Sequence, residues 1–256
     1  MKVAFLFPGQ GAQYVGMGKD FYHSFQAARN IFEEADEILG YSLSKIIFEG
    51  PNEVLTETFN AQLAIFVTSV AILQVVEQEQ PDLKPSVCSG LSLGEYTALY
   101  ASGRLDFKET LLLVRERARL MNEACERTKG TMAAVLGLSA EEIKEAVKEI
   151  DSVWIANFNA PGQTVISGNL DGIEKASSLL KEKEARRVLP LTVHGAFHSG
   201  LMQSARDGLT PFVRNASLRG STIDFVMNVP GDFTNDPDQT HPTPVSYTHL
   251  TLPTKA

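Results

Sequence analysis

Ser86-Val87-Cys88-Ser89-Gly90-Leu91-Ser92-Leu93-Gly94-Glu95-Tyr96-Thr97-Ala98-Leu99 changes character halfway along. Its first four residues favour a β-strand, and Glu95–Leu99 continues in a helical pattern. Between them stands Gly90-Leu91-Ser92-Leu93-Gly94, a G-x-S-x-G. In that setting the glycines let a strand and a helix approach closely while the serine hydroxyl stands out on a tight turn, a nucleophile elbow. The helix N-terminus behind Ser92 offers free N–H groups and the positive end of a dipole to developing negative charge. Those are the requirements of an acyl-transfer nucleophile. On the motif alone, an ordinary strand–helix turn that carries a serine reads equally well.

Toward the N-terminus, residues 3–7 read as a first buried strand, ended by Pro8-Gly9-Gln10-Gly11. Glycines on both sides of Gln10 let the backbone double back at a strand end, where α/β proteins place functional groups; a plain glycine turn is the other reading. From Asp20, the residues Phe21, Phe25, Ala28, Phe32, Ala35 and Leu39 recur at helical spacing until Gly40. More helix is predicted over 53–79, and Ala61–Val76 is apolar nearly all round, which predicts a buried helix. Ile223–Val229 reads as another core strand.

Asp106 and Glu109 predict a capping box opening a helix that runs to about Glu126. On this helix Arg119 has only polar neighbours three and four residues away, so it belongs to a solvated face. Arg117 sits among Leu113, Val114, Leu120 and Met121. A guanidinium in an apolar arc needs an anionic partner, either elsewhere in the fold or a ligand carboxylate. A bidentate arginine suits the ligand; a structural ion pair or a snorkelling side chain is at least as common.

Residues 131–191 read as a self-contained unit. The predicted elements are a strand at Thr131–Leu136, a helix at Ala140–Glu149, strands at Val153–Phe158 and Gln163–Ser167, a helix at Leu170–Lys183 and a strand at Arg186–Leu191. That β-α-β-β-α-β order is the ferredoxin-like pattern. Next comes His194-Gly195-Ala196-Phe197-His198-Ser199. His198 stands at a loop-to-helix start among small residues, which makes it a better base for Ser92 than His194.

The chain has 256 residues, 43% of them hydrophobic and 21% charged, enough to bury a sizeable core. Its net charge of -8 argues against a general nucleic-acid or anionic-membrane binder. Two cysteines, Cys88 and Cys125, give neither a disulfide framework nor metal spacing, as expected in a reducing cytosol. The N-terminal apolar run is too short for a signal peptide, and no stretch is expected to be long enough to span a bilayer. After Asn235 the composition changes: Pro237, Pro242, Pro244 and Pro253 fall in a segment without periodicity. Residues 236–256 are therefore expected to be a non-native, irregular tail, and His241 and His249 within it are given no role.

Taken together, Phe7-Pro8-Gly9-Gln10-Gly11, Gly90–Tyr96, Arg117 before Met121, Asn157–Gln163 and Gly195–Ser199 resemble the malonyl-CoA:acyl carrier protein transacylases, which load bacterial fatty-acid synthesis. The resemblance runs in order from about Lys2 to Asn235. It implies an α/β fold whose hydrolase-like large subdomain, 1–127 and 195–235, holds a short parallel sheet and the elbow. A ferredoxin-like small subdomain, 128–194, is inserted into it. Ser92 would be the residue that is malonylated and His198 its base; the backbone N–H groups of Gln10 and Leu93 would form the oxyanion hole, and Arg117 would hold the malonyl carboxylate. The implied partners are malonyl-CoA and acyl carrier protein, with no nucleic acid and no membrane. No metal and no cofactor beyond the substrate thioester is implied, and the compartment is the cytoplasm.

Two departures accompany the resemblance. Leu91 stands where many members carry histidine, at a position expected to face the fold. After residue 229 the family continues with a glutamine whose carbonyl orients the histidine, a further core strand and a closing helix, none of which matches 236–256. The expectation is a C-terminally truncated member, poorly active and marginally stable. Competing readings are an α/β-hydrolase (thio)esterase, which would need several strands before its elbow, and a non-catalytic remnant that still docks a carrier protein. Lys181, Lys183, Arg186 and Arg187 form the densest basic cluster, either a docking patch for an acidic carrier protein or a solvated helix end.

Overall fold

The computed structural model describes residues 2–229 and the backbone of Phe233–Thr234. The tail expected at 236–256 lies outside the described residues. In chain order the first elements are β1 (Ala4–Phe7), α1 (Lys19–Ser24), α2 (Gln26–Leu39), α3 (Leu43–Glu49), α4 (Asn52–Thr56), α5 (Thr58–Glu79), β2 (Val87–Gly90), α6 (Gly94–Ala101) and α7 (Phe107–Arg127). There follow β3 (Gly130–Leu136), α8 (Ala140–Val147), β4 (Val153–Ala160), β5 (Gln163–Asn169), α9 (Leu170–Glu182), β6 (Arg187–Pro190), a 3-10 turn at Gly200–Met202, α10 (Gln203–Arg214), β7 (Asp224–Val226) and β8 (Phe233–Thr234). Of the described residues, 2–119 with those from 210 onward form one compact unit, and 120–209 form another.

In the first unit the sheet order is β1-β2-β7-β8. The first three strands are parallel, with Phe7 opposite Gly90 and Cys88 opposite Phe225, and β8 returns antiparallel to β7. Parallel neighbours need long crossovers, and α1–α5 fill the one between β1 and β2. α5 is the core helix, with Leu63, Phe66, Val67 and Val70 fully buried, as its all-round apolar pattern requires. It also overturns one expectation. By length and composition α5, 22 residues with a mean hydropathy of 1.8 in its most apolar window, is able to cross a membrane, yet 72% of that window is buried inside the protein.

Three local expectations are corrected. The single helix expected from Asp20 to Leu39 is two, broken at Phe25, whose backbone is extended (φ -129°, ψ 125°). The break lets Tyr22 pack its ring on Phe32 and Phe48, at centroid distances of 5.9 and 5.2 Å. The box at the start of α7 closes on one side only: Glu109 N–H donates to Asp106 Oδ1 (2.8 Å), while the Glu109 carboxylate accepts from Ser217 N–H (2.6 Å). The strand expected over 223–229 is limited to Asp224–Val226, because Asn228 leaves the ladder to bond elsewhere.

The second unit holds the six expected elements in the expected order. Its sheet is antiparallel throughout, in the order β4-β5-β3-β6. Alternation along β3 serves both faces. Ala133 and Val135 join Ile143, Ile173 and Leu180 in one core cluster, and Met132 joins Phe197, Met202 and Ala205 in another. A reciprocal capping box between Ser139 and Glu142 starts α8, and Asn169 Oδ1 accepts Gly172 N–H (2.7 Å) to start α9.

Candidate active site

β2 runs into α6 through Leu91-Ser92-Leu93. Neither glycine that flanks this turn leaves room for a side chain. A β-carbon on Gly90 would lie 2.1 Å from Gly94 O, and one on Gly94 would lie 2.3 Å from Phe7 O. The elbow is therefore pressed against the end of β1, where Leu91 N–H also donates to Phe7 C=O (3.2 Å). Ser92 itself is left-handed, φ 55°. For a residue with a β-carbon this conformation costs about 1–2 kcal/mol, and it turns the hydroxyl out of the strand–helix corner.

α7 brings Arg117 to the serine. Its Nη2 donates to Ser92 Oγ at 2.9 Å, and its Nη1 donates to Gln62 Oε1 on α5. The guanidinium lies 5.6 Å from the centroid of the Tyr96 ring, a cation–π arrangement. Arg117 is only 2% exposed. Arg119, two residues on, lies at the surface with Nε 2.9 Å from Glu116 Oε2, as its polar neighbours predicted.

Behind the turn, Ser92 N–H donates to Asn228 Oδ1 (2.8 Å), Asn228 Nδ2 donates to Gly90 C=O (2.6 Å), and Asn228 N–H donates to Glu95 Oε1 (3.0 Å). Glu95 is fully buried. Burial pushes its carboxyl up to about 7, against the opposing pull of the Asn228 N–H and the Arg117 charge. Burial likewise pushes the Tyr96 phenol upward.

Leu93 is buried directly before α6. Gln10 lies in the turn after β1, and the preceding Gly9 packs so tightly on the elbow that its β-carbon would meet Leu91 O at 2.6 Å. Ser92, Leu93, Arg117 and the Gln10 turn thus belong to one unit. Leu91 does not face the fold as expected; its side chain is 50% exposed beside the serine, because the left-handed turn carries it outward.

His198 lies in the other unit. It too is left-handed (φ 56°) and is 5% exposed. Its neighbour Ser199 caps the following 3-10 turn, with Oγ accepting Leu201 N–H (3.2 Å) and donating to Ala196 C=O (2.6 Å). His194, by contrast, is partly exposed, with Nε2 2.8 Å from a Glu126 carboxylate oxygen.

The sequence reading missed Gln62, Glu95 and Asn228. Gln62 did leave a signal, as a polar side chain inside an otherwise apolar helix. Asn228 left none, since its partners are more than 130 residues away in the chain. Chemically, a serine oxygen on a strained turn, held by a guanidinium with a second polar anchor, suits an electrophile that carries its own carboxylate.

Residues 4–241 match the acyl transferase domain family. The chain is 45% identical over 235 residues to the malonyl CoA-acyl carrier protein transacylase of Bacillus subtilis, covering 90% of this chain and 74% of that protein. It is 38% identical to the Escherichia coli K12 protein of the same name, over 88% of this chain and 74% of that one. Among solved structures it superposes with a TM-score of 0.93 and 36% identity on a type II PKS acyl-carrier protein complex with its malonyl-transacylase, covering 98% of this chain and 82% of that one. An acyl-carrier-protein-S-malonyltransferase from Bartonella henselae gives a TM-score of 0.91 and 38% identity, over 97% of this chain and 81% of its own.

Proposed function

The chain belongs to the acyl transferase domain family, and we propose that it moves a malonyl group from malonyl-CoA to the phosphopantetheine thiol of acyl carrier protein through an acyl-enzyme on Ser92. The observation that carries the reading is the bond from Arg117 Nη2 to Ser92 Oγ. A guanidinium beside the attacking atom supports this reading, because it suits the free carboxylate of a dicarboxylic acyl group, which a simple ester lacks.

In this reading Ser92 Oγ attacks the thioester carbon while His198 takes its proton, and the oxyanion is held by the N–H groups of Leu93 and Gln10. The C–S bond breaks, and coenzyme A leaves with that proton. The carrier-protein thiol then repeats the exchange in reverse and frees Ser92. The malonyl carboxylate takes the Arg117 donors that serve Ser92 and Gln62 in the free enzyme. Left-handed backbone at both Ser92 and His198 supports their roles, since strain of this kind gathers at functional residues. The reaction needs no cofactor or metal. Two subdomains are part of this reading, a hydrolase-like one over 1–127 and 195–235 and a ferredoxin-like one over 128–194; the strand order β4-β5-β3-β6 supports the second, while the compact units described above divide instead after residues 119 and 209. The cytoplasm is the proposed compartment, in keeping with two free, buried cysteines.

The test is selective. Malonyl-CoA is expected to add a malonyl mass to the peptide that contains Ser92, and Ser92→Ala to abolish it. Arg117→Ala is expected to cost malonyl transfer about 2–5 kcal/mol in transition-state stabilisation while leaving acetyl transfer equal or improved. Equal losses for both acyl groups would make Arg117 a structural residue and remove the main support for malonyl selectivity.

A further inference from the structure

The left-handed turn at Ser92 needs something to hold it. Its own hydrogen bonds do part of this: Gly94 N–H donates to Leu91 C=O (2.9 Å) and Leu91 N–H to Phe7 C=O. Two groups on either side of Leu91, Gly90 C=O and Ser92 N–H, are left over, and one side chain takes both. Asn228 gives its Nδ2–H to Gly90 and accepts from Ser92 at Oδ1. Only a carboxamide presents a donor and an acceptor side by side in this way. Asn228 is itself fixed through its backbone N–H, which donates to Glu95 Oε1 in the first turn of α6. The ring of bonds therefore closes: from Ser92 to Asn228, to Glu95, and back along α6 to Ser92. It also uses Ser92 N–H, so that amide is not free for an oxyanion, whereas no acceptor among the described residues takes Leu93 N–H.

We propose that Asn228 is a positioning residue for acyl transfer, an amide staple that holds the Ser92 turn in its reactive geometry, and that Glu95 sets the staple through the Asn228 N–H. The proposal rests on the reading of Ser92 as the nucleophile. A residue that served only to hold β7 against β2 would alter stability and leave the rate per folded molecule untouched. A staple acts on the rate, because a displacement of about 1 Å at the attacking oxygen costs about 100-fold. Substrate affinity is expected to be spared, since the hydrogen bonds of Asn228 go to Ser92, Gly90 and Glu95 and not to the donors of Arg117.

The experiment measures kcat and KM for malonyl transfer, the rate of Ser92 labelling by a small fluorophosphonate, and the melting temperature, all on the full chain. Asn228→Ala and the isosteric Asn228→Asp, which replaces the donor to Gly90 by an acceptor, are expected to lower kcat and the labelling rate by about 100-fold. KM is expected to stay within about threefold of wild type. Glu95→Ala is expected to lower kcat about tenfold, and Glu95→Gln to recover most of that loss, because an amide oxygen still accepts the Asn228 N–H. Asn228→Asp keeps the packing volume and decides the matter if the alanine variant does not fold. Wild-type kcat and labelling rate in Asn228→Asp, or a loss that appears in KM alone, overturns the staple while Ser92 keeps its malonyl group. Malonyl found on a residue other than Ser92 in the wild-type protein overturns the reading of the nucleophile, and the staple with it.

Discussion

Glu95 is a carboxyl group sealed from water, and its state of protonation is tied to the stability of the protein. Its ordinary value is 4.5 and its value in the fold is about 7, with burial as the main cause. Between those two values the folded protein keeps a proton that the unfolded chain releases. Stability therefore falls as pH rises through that window and levels off above about 7. The shift corresponds to a difference on the order of 3 kcal/mol. Urea unfolding of the wild type at several pH values between 4.5 and 8 is expected to show this decline, and Glu95→Gln, which does not titrate, is expected to lack that share of it. Parallel curves for the two proteins would mean that Glu95 stays ionised across the range.

Among the elements, α5 does most to place the chemistry. Phe66 on this helix stacks on Phe107 at the start of α7, with ring centroids 5.8 Å apart and planes within 11°, and meets Tyr100 of α6 edge-on at 6.5 Å. The helix that carries Arg117 and the helix behind Ser92 are thus both seated on one aromatic ring. Phe66→Ala is expected to destabilise the protein by about 3–5 kcal/mol, read from urea unfolding, because the cavity opens where three helices meet. The apolar run that became α5 was legible because a helix apolar on all sides has only one place to go. The elbow was legible for a different reason: Gly90 and Gly94 are fixed by close backbone approach, which allows no other residue. The break at Phe25 was not legible, since a one-residue interruption leaves the spacing of Phe21, Ala28 and Phe32 compatible with one helix. Nor was the early end of β7, which is decided by bonds from Asn228 to residues far back in the chain.

For the molecule as a whole, the net charge of -8 opposes an acidic partner, so docking of a carrier protein needs a local exception. Lys181, Lys183, Arg186 and Arg187 are all exposed where α9 ends and β6 begins, though Glu182 and Glu184 alternate with them. Reversing the four charges is expected to slow transfer to carrier protein in a salt-dependent way while leaving acylation by malonyl-CoA unchanged. Equal effects on both half-reactions would place docking elsewhere. The whole architecture was less legible than its parts. The β-α-β-β-α-β order showed the second unit, because its six elements follow one another without interruption between Gly130 and Pro190. The first sheet joins strands some 80 and 140 residues apart, β1 to β2 and β2 to β7, and nothing local announces such pairings.

The all-round apolar surface of α5 also has a consequence during synthesis, before any of its packing partners can cover it. As the chain leaves the ribosome, Thr58–Glu79 emerges ahead of α6 and α7. At that moment it is a greasy rod about 33 Å long, the thickness of a bilayer's hydrocarbon layer. Machinery that sorts nascent chains by hydrophobic windows meets a segment that resembles an export signal, inside a protein whose core depends on that segment. Asn60, Gln62, Thr68 and Gln74 dilute the signal, and Gln62 serves Arg117 as well. Residues 58–79 fused alone to a reporter are therefore expected to partition with membranes, more strongly when Gln62 and Gln74 are replaced by leucine, while the same substitutions in the full chain divert part of the product from the soluble fraction.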